Sequence, residues 1–287
     1  MSRSFLDAVA ARNEAAQQPP PQQPPTPQPP AVKESCIFSD SHLTHSLLTV
    51  QRIHGAGRGW FATHDLAAGT VLWCETPLSF AATRDGLVRK VDKTLWKHDG
   101  LCRRPKAESH GAGIVAANFF DFGMYGAYIF ERTSLLNHAC CPNASVRVVY
   151  GETAASETTA SVVVARRVSQ GEQLCISYSS KALFLPTHAR RELVHDKWGF
   201  WCRCARCEGT LPQAELGRWS LLEEAAASAD ALGKPSQQSA QPALVALQAR
   251  AAALVAEWLP DLAEAERFAE DAEYYAGCAA PPAPAVQ

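Results

Sequence analysis

With 287 residues, 47% of them hydrophobic, the chain is long enough for one substantial core and a smaller second unit. No stretch approaches the roughly 18 to 20 apolar residues of a membrane span, and the opening "MSRSFLDAVAARNEAAQ" lacks the apolar segment of a secretory signal, so a soluble intracellular protein without membrane contacts is expected. The net charge of -2 conceals 23 basic against 18 acidic residues in 1–211 and 4 against 11 in 212–287, an asymmetry too mild and scattered for a nucleic-acid footprint or sequence-specific nucleic-acid binding.

Residues 1–45 hold the run "AAQQPPPQQPPTPQPPA", which cannot build a core and reads as an extended, largely disordered Pro/Gln arm: a spacer, or a ligand for a Pro-recognition module. From 46 to 79, "LLTVQRI", "GAGRGWFATHDL" and "AAGTVLWCETP" are short apolar runs punctuated by Gly and read as strands joined by tight turns. An insert at 80–113 is mixed and basic, with room for a short helix and a loop. "GIVAANFFDFGMYGAYIF" is core-like, helical at its start and strand-like at its end. "SVRVVYG", "ASVVVARRV" and "GEQLCISY" restore the strand signature and bring the main unit, 46–180, to its end.

The segment 181–211 opens with the helix candidate "FLPTHARRELVHDKWGF", Thr187 being the expected N-cap. Beyond it, 212–276 turns rich in Ala, Leu and Glu with helical periodicity, which predicts two to four packed helices. Their acidic stretches "EEAAASAD" and "AEAERFAEDAE" are either one wall of a groove for a lysine-rich peptide or solvated helix faces. Residues 277–287 form a tail.

Ten cysteines in a chain of this size, several at close spacing, favour reduced thiols and a metal over a disulfide framework. "WCRCARCEG" supplies Cys202, Cys204 and Cys207 as C-x-C-x2-C, three thiolates that leave a tetrahedral zinc one ligand short. The fourth has to come from afar, from Cys140, Cys141, Cys175, His188 or His195. Such an all-sulfur site is structural, since it keeps no open position for water. Cys36, Cys74, Cys102 and Cys278 read as free thiols, packed in the first half and exposed in the tail.

Four pieces in order, "GRGWFATHDLAAGTVL", "NHACCPN", "GEQLCISY" and "CRCARC", resemble the SET-domain protein lysine methyltransferases over about Thr49 to Gly209. The helical tail and the "SLLNH" context look most like the branch that carries a MYND finger, although residues 80–113 offer only Cys102, His98 and His110 and so no such finger. The resemblance implies a mainly β fold with α, made of small curved sheets with a pseudoknot through NHxCxPN, a zinc-binding post-SET segment and a short C-terminal helical region. It implies S-adenosylmethionine as cofactor, held among Arg58, Gly59, Trp60, Ala117, Asn118, Ser134, Leu136, Asn137, His138, Tyr178 and Phe200, with Phe200 stacked on adenine. It further implies a structural zinc on Cys140, Cys202, Cys204 and Cys207.

On the same pattern Phe120, Tyr178 and Trp198 line a substrate channel, with Tyr178 as the catalytic residue. Trp198 stands where the MYND-bearing branch usually places a Tyr, which bears on the number of methyl groups added. A lysine stem is apolar and its tip small, so aromatic walls suit it. The expected activity is protein-lysine N-methylation by a monomer acting on histone tails or other lysine-containing proteins in the nucleus, the cytoplasm or both. The rival reading is a catalytically inactive, zinc-stabilised SET-like interaction module.

Overall fold

The computed structural model describes residues 45–95, 101, 107–150, 158–232, 242–259, 262 and 267–279. The Pro/Gln arm, the "GKPSQQSAQP" connection apart from its final Pro242, the tail beyond 279, and Cys36 and Cys102 lie outside these residues. All of the described residues fall within one unit, Phe38–Gln287.

Ten short strands form four small sheets among the described residues. The hairpin of β1 (Leu48–Ile53) and β2 (Gly57–Ala62) turns at Gly55 and Gly57, both at φ +74°, a region open to glycine at no steric cost. β3 (Val71–Glu75), β9 (Thr159–Val164) and β8 (Ala144–Val149) form an antiparallel sheet with β9 at its centre. The centre strand is buried on both faces, which explains its nearly continuous Val run. β4 (Ser79–Ala81), β6 (Ala127–Ile129) and β5 (Phe119–Asp121) make a third sheet. The fourth is parallel: β7 (Asn137–His138) beside β10 (Cys175–Ile176). The result is a mixed α/β fold of small, largely antiparallel sheets with C-terminal helices.

The insert supplies two helices, α1 (Arg84–Thr94) and α2 (His110–Asn118). Asp92 of α1 accepts from the Ser109 hydroxyl at 2.8 Å and from the Gly111 amide, fastening the start of α2. A Cβ on Gly111 would lie 2.7 Å from that carboxylate, so glycine is required by the close approach. After the short α3 (Ser180–Leu183), α4 runs Thr187–Trp198. Its N-cap is Pro186 rather than Thr187, which sits one residue inside and accepts from Arg190 Nη2 at 3.0 Å; proline suits the spot because it preorganises the backbone where no amide is needed. Gly199, at φ +76°, closes the helix.

The one-turn α5 (Ala205–Glu208) is followed by α6 (Gln213–Leu232), α7 (Pro242–Trp258) and α8 (Arg267–Ala279). Trp219, Leu222 and Ala226 form a single stripe along α6 at helical spacing, and they pack with Ala251, Phe268, Phe184 and Cys141. Phe184 and Phe268 meet edge to face at 4.8 Å. The helical region is thus built onto the segments that carry the thiols. Cys74, expected to be packed, is exposed on the outer face of β3, because strand alternation turns Trp73 inward instead. Among the described residues no helix is long and apolar enough to cross a membrane.

Candidate functional site

Asn137 and His138 reach the site because β7 is held on both flanks. Before it, Glu75 accepts from the Arg132 amide at 3.1 Å and from the amide and hydroxyl of Thr133, while the indoles of Trp60 and Trp73 donate to the Arg132 carbonyl and the Thr133 hydroxyl. After it, the Asn143 amide donates to the Gln173 carbonyl and to Glu172 and accepts from the Cys175 amide. A buried amide with every group paired fixes the register of 137–143 against 172–176. Glu75 and Asn143 escaped the sequence reading. The second stood in plain view inside "NHACCPN", whereas an isolated "CETP" offers no signal.

Asn137 Nδ2 donates to the Arg58 carbonyl at 2.8 Å. A Cβ on Gly59 would come within 2.6 Å of Gln173 and 2.9 Å of Asn137, so the close approach at Gly59 is made by these side chains. Arg58 is buried, and the Trp60 indole is wholly inside the core against Trp73. The Trp60 carbonyl accepts from the Leu174 amide at 2.8 Å. Asn118 ends α2, donating to the Ile114 carbonyl and accepting at its own carbonyl from the Ser134 hydroxyl; Ala117 precedes it on the helix, half-buried. The Leu136 side chain is core, and its carbonyl accepts from the Tyr178 hydroxyl at 3.0 Å.

The structure brings His138, Tyr178, Trp198 and Phe200 together. Ring centroids of Tyr178 lie 5.3 Å from His138, 5.6 Å from Trp198 and 6.5 Å from Phe200. Phe200 keeps 38% of its surface exposed, an open aromatic face at the rim of the group. Phe120 belongs to a neighbouring aromatic cluster with Phe122 and Phe130, and it packs, as does Tyr178, against the main core.

His138 joins the rings to the sulfurs. Its Nδ1 accepts from the Tyr178 amide at 3.1 Å, which leaves the proton on Nε2, 3.3 Å from Cys140 Sγ. Burial pushes its pKa down to about 4; the Cys204 charge opposes that and Arg190 adds to it. The imidazole is therefore neutral at pH 7 and donates to the Cys140 sulfur.

Cys140, Cys202, Cys204 and Cys207 place their sulfurs within 4.8 Å of one another. Cys140 lies 3.8 Å from Cys202 and 3.6 Å from Cys207. Sulfurs on a tetrahedron of radius about 2.3 Å are about 3.8 Å apart, while a disulfide bond is near 2 Å. The thiols are free, and their spacing fits a divalent ion. Hydrogen bonds from Cys140, Cys141, Cys202 and Cys207 draw the Cys204 thiol far below the ordinary range. The other fourth-ligand candidates are not part of this mutual set: Cys141 touches Cys204 but packs mainly into the helical core, Cys175 packs against that same core, His188 pairs with Glu192, and His195 stacks on Trp201.

Residues 57–179 match the family model described as the SET domain. The match runs from the second strand of the first hairpin to the residue after Tyr178. Over 164 residues it is 27% identical to histone-lysine N-methyltransferase SET5 of Saccharomyces cerevisiae, covering 54% of this chain and 29% of that protein. It is 33% identical over 147 residues to SET5 of Candida albicans, covering 48% and 30%. Against N-lysine methyltransferase SMYD2 of Homo sapiens it is 35% identical over 82 residues, covering 29% and 17%. The matched stretches thus span less than a third of each of these relatives. The family-model match ends at Ser179, so three of the four clustered cysteines lie beyond the matched residues.

Proposed function

We infer that this chain transfers methyl groups from S-adenosylmethionine to lysine side chains of proteins. The observation that carries the reading is the Tyr178 hydroxyl on the Leu136 carbonyl, one residue before the Asn137–His138 strand and within the residues that match the SET-domain family model. The names of the matched methyltransferases support it. The SMYD-type branch is the nearest fit for the "SLLNH" context and helical tail, without its MYND finger.

When bound, S-adenosylmethionine supplies an electrophilic methyl group on a sulfonium, which a lysine amine takes in a single displacement. The chain's task is then alignment, which can be worth several kcal/mol. Tyr178 donates its proton to Leu136, so toward a lysine amine its oxygen would act as an acceptor that points the nitrogen lone pair onward. Trp198 and Phe120 would wall the lysine stem, and apolar surroundings would favour the uncharged amine.

The main chain at Arg58 to Trp60, the Ala117–Asn118 helix end, Ser134, Leu136 and the Asn137–His138 strand would cradle the cofactor, with Phe200 against adenine. Gly59 fits this role only as glycine, because the strand already lies against Asn137. A zinc on Cys140, Cys202, Cys204 and Cys207 would be structural and would fix Phe200 two residues before the first of the local ligands. Substrates would be histone tails or other lysine-bearing proteins, in the nucleus or cytoplasm, met by a monomer.

Single-turnover transfer from labelled cofactor, first on a protein extract and then on the mapped substrate, tests the reading. Wild type should label lysine, and Tyr178→Phe should do so far more slowly. An absence of transfer by the zinc-loaded, cofactor-binding wild type across a broad panel would favour the inactive module.

A further inference from the structure

Two arginines and a glutamate lie behind the clustered thiols. Arg206, inside the C-x-C-x2-C segment, donates from Nη1 to the carbonyls of Cys140 at 2.6 Å and Leu183 at 2.7 Å. Its Nη2 donates to Glu223 Oε1 at 2.7 Å, and its guanidinium lies 4.0 Å over the Trp219 ring. Arg190, on α4, donates from Nη1 to the Leu185 carbonyl and to the same Glu223 oxygen at 2.7 Å. The two arginine side chains are 0% and 2% exposed and Glu223 is 22% exposed. One oxygen of α6 therefore receives both guanidiniums.

Charge completes the case. Two cations against one carboxylate leave a positive surplus, and burying it uncompensated would be costly. Four thiolates around a divalent ion leave two negative charges in excess. The surpluses lie next to each other. Both guanidiniums stay charged, as arginine does in proteins.

We propose that Arg190 and Arg206, held in place by Glu223, are the outer-sphere part of the metal centre, Arg206 fixing the Cys140 main chain and the two guanidiniums supplying the positive charge a four-thiolate zinc requires. The C-terminal helical region thereby sets the zinc affinity of the site. It also steadies the Asn137–Cys140 segment that leads into the proposed cofactor pocket. The expected acidic groove wall loses Glu223 to this internal role. The proposal rests on reading the four thiols as a zinc site.

The test is the zinc dissociation constant of the full chain, measured by competition with a chelator of known affinity. Outer-shell partners typically contribute roughly 10- to 100-fold in metal affinity, and Glu223→Ala should weaken binding by that much. Arg206→Lys should do the same while keeping the charge, because an ammonium cannot span Cys140, Leu183 and Glu223 together. The exposed neighbour Glu224→Gln should leave the constant unchanged. Unfolding of the metal-free proteins gives the second readout: lowered stability with an unchanged zinc constant would mean a merely structural clamp and overturn the proposal. Should Glu223→Ala fail to fold, Arg206→Lys decides alone. A wild type that binds no zinc would instead overturn the metal reading itself.

Discussion

The amide of Tyr178 donates to Nδ1 of His138 at 3.1 Å, and that single bond decides which way the imidazole faces. With Nδ1 occupied as an acceptor, Nε2 carries the proton toward Cys140 Sγ, 3.3 Å away. The candidate catalytic tyrosine and the candidate metal ligand are therefore coupled through one neutral ring. Second-shell hydrogen bonds of this kind orient ligands and tune a metal site.

A neutral His138 makes stability depend on pH. Its folded pKa, about 4, lies below its ordinary 6.5, so between these values the unfolded chain binds more protons and stability falls as pH falls. The contribution is fully present above 6.5 and is lost progressively toward 4. At about 1.4 kcal/mol per pKa unit, acidification from pH 7 to pH 5 should cost the wild type about 2 kcal/mol more than His138→Gln. Paired denaturant titrations of the two proteins at both pH values measure the difference.

Cys140→Ser should lose zinc and Cys141→Ser should keep it. Cys140 lies at tetrahedral distance from Cys202 and Cys207, whereas Cys141 packs with Phe184 and Trp219. Metal content of the purified proteins checks this, and the reverse pattern would reassign the fourth ligand.

Phe200→Ala should weaken S-adenosylmethionine binding by about 1 to 3 kcal/mol, the scale of a base stacked on an aromatic ring. The low end is expected because 38% of the ring is exposed. Calorimetric titration reads the change directly; an unchanged affinity removes Phe200 from the pocket.

Tyr178→Phe should retain zinc and nearly all cofactor affinity while turnover falls at least tenfold, which corresponds to about 1.4 kcal/mol in the transition state. The lost hydroxyl also frees the Leu136 carbonyl, so a stability loss of about 1 kcal/mol is expected. Equal single-turnover rates for the two proteins would end the catalytic assignment.

The local signals were legible without coordinates. Gly55 and Gly57 announce the β1–β2 turn because few other residues accept a positive φ. The Val run of β9 announces a strand buried on both faces, and C-x-C-x2-C announces three ligands because three thiols so close have little else to converge on. What only the tertiary structure decided is which distant groups meet. Cys140 rather than Cys141 completes the sulfur cluster because the parallel pairing of β7 with β10, locked by Asn143, sets the side to which each thiol points. Glu223 reads as one more charge on a solvated helix until the Trp219 stripe turns α6 inward and carries it onto Arg190 and Arg206. Turn chemistry and strand burial are properties of neighbours in sequence. Charge compensation and ligand geometry depend on through-space distances that the order of residues does not encode locally.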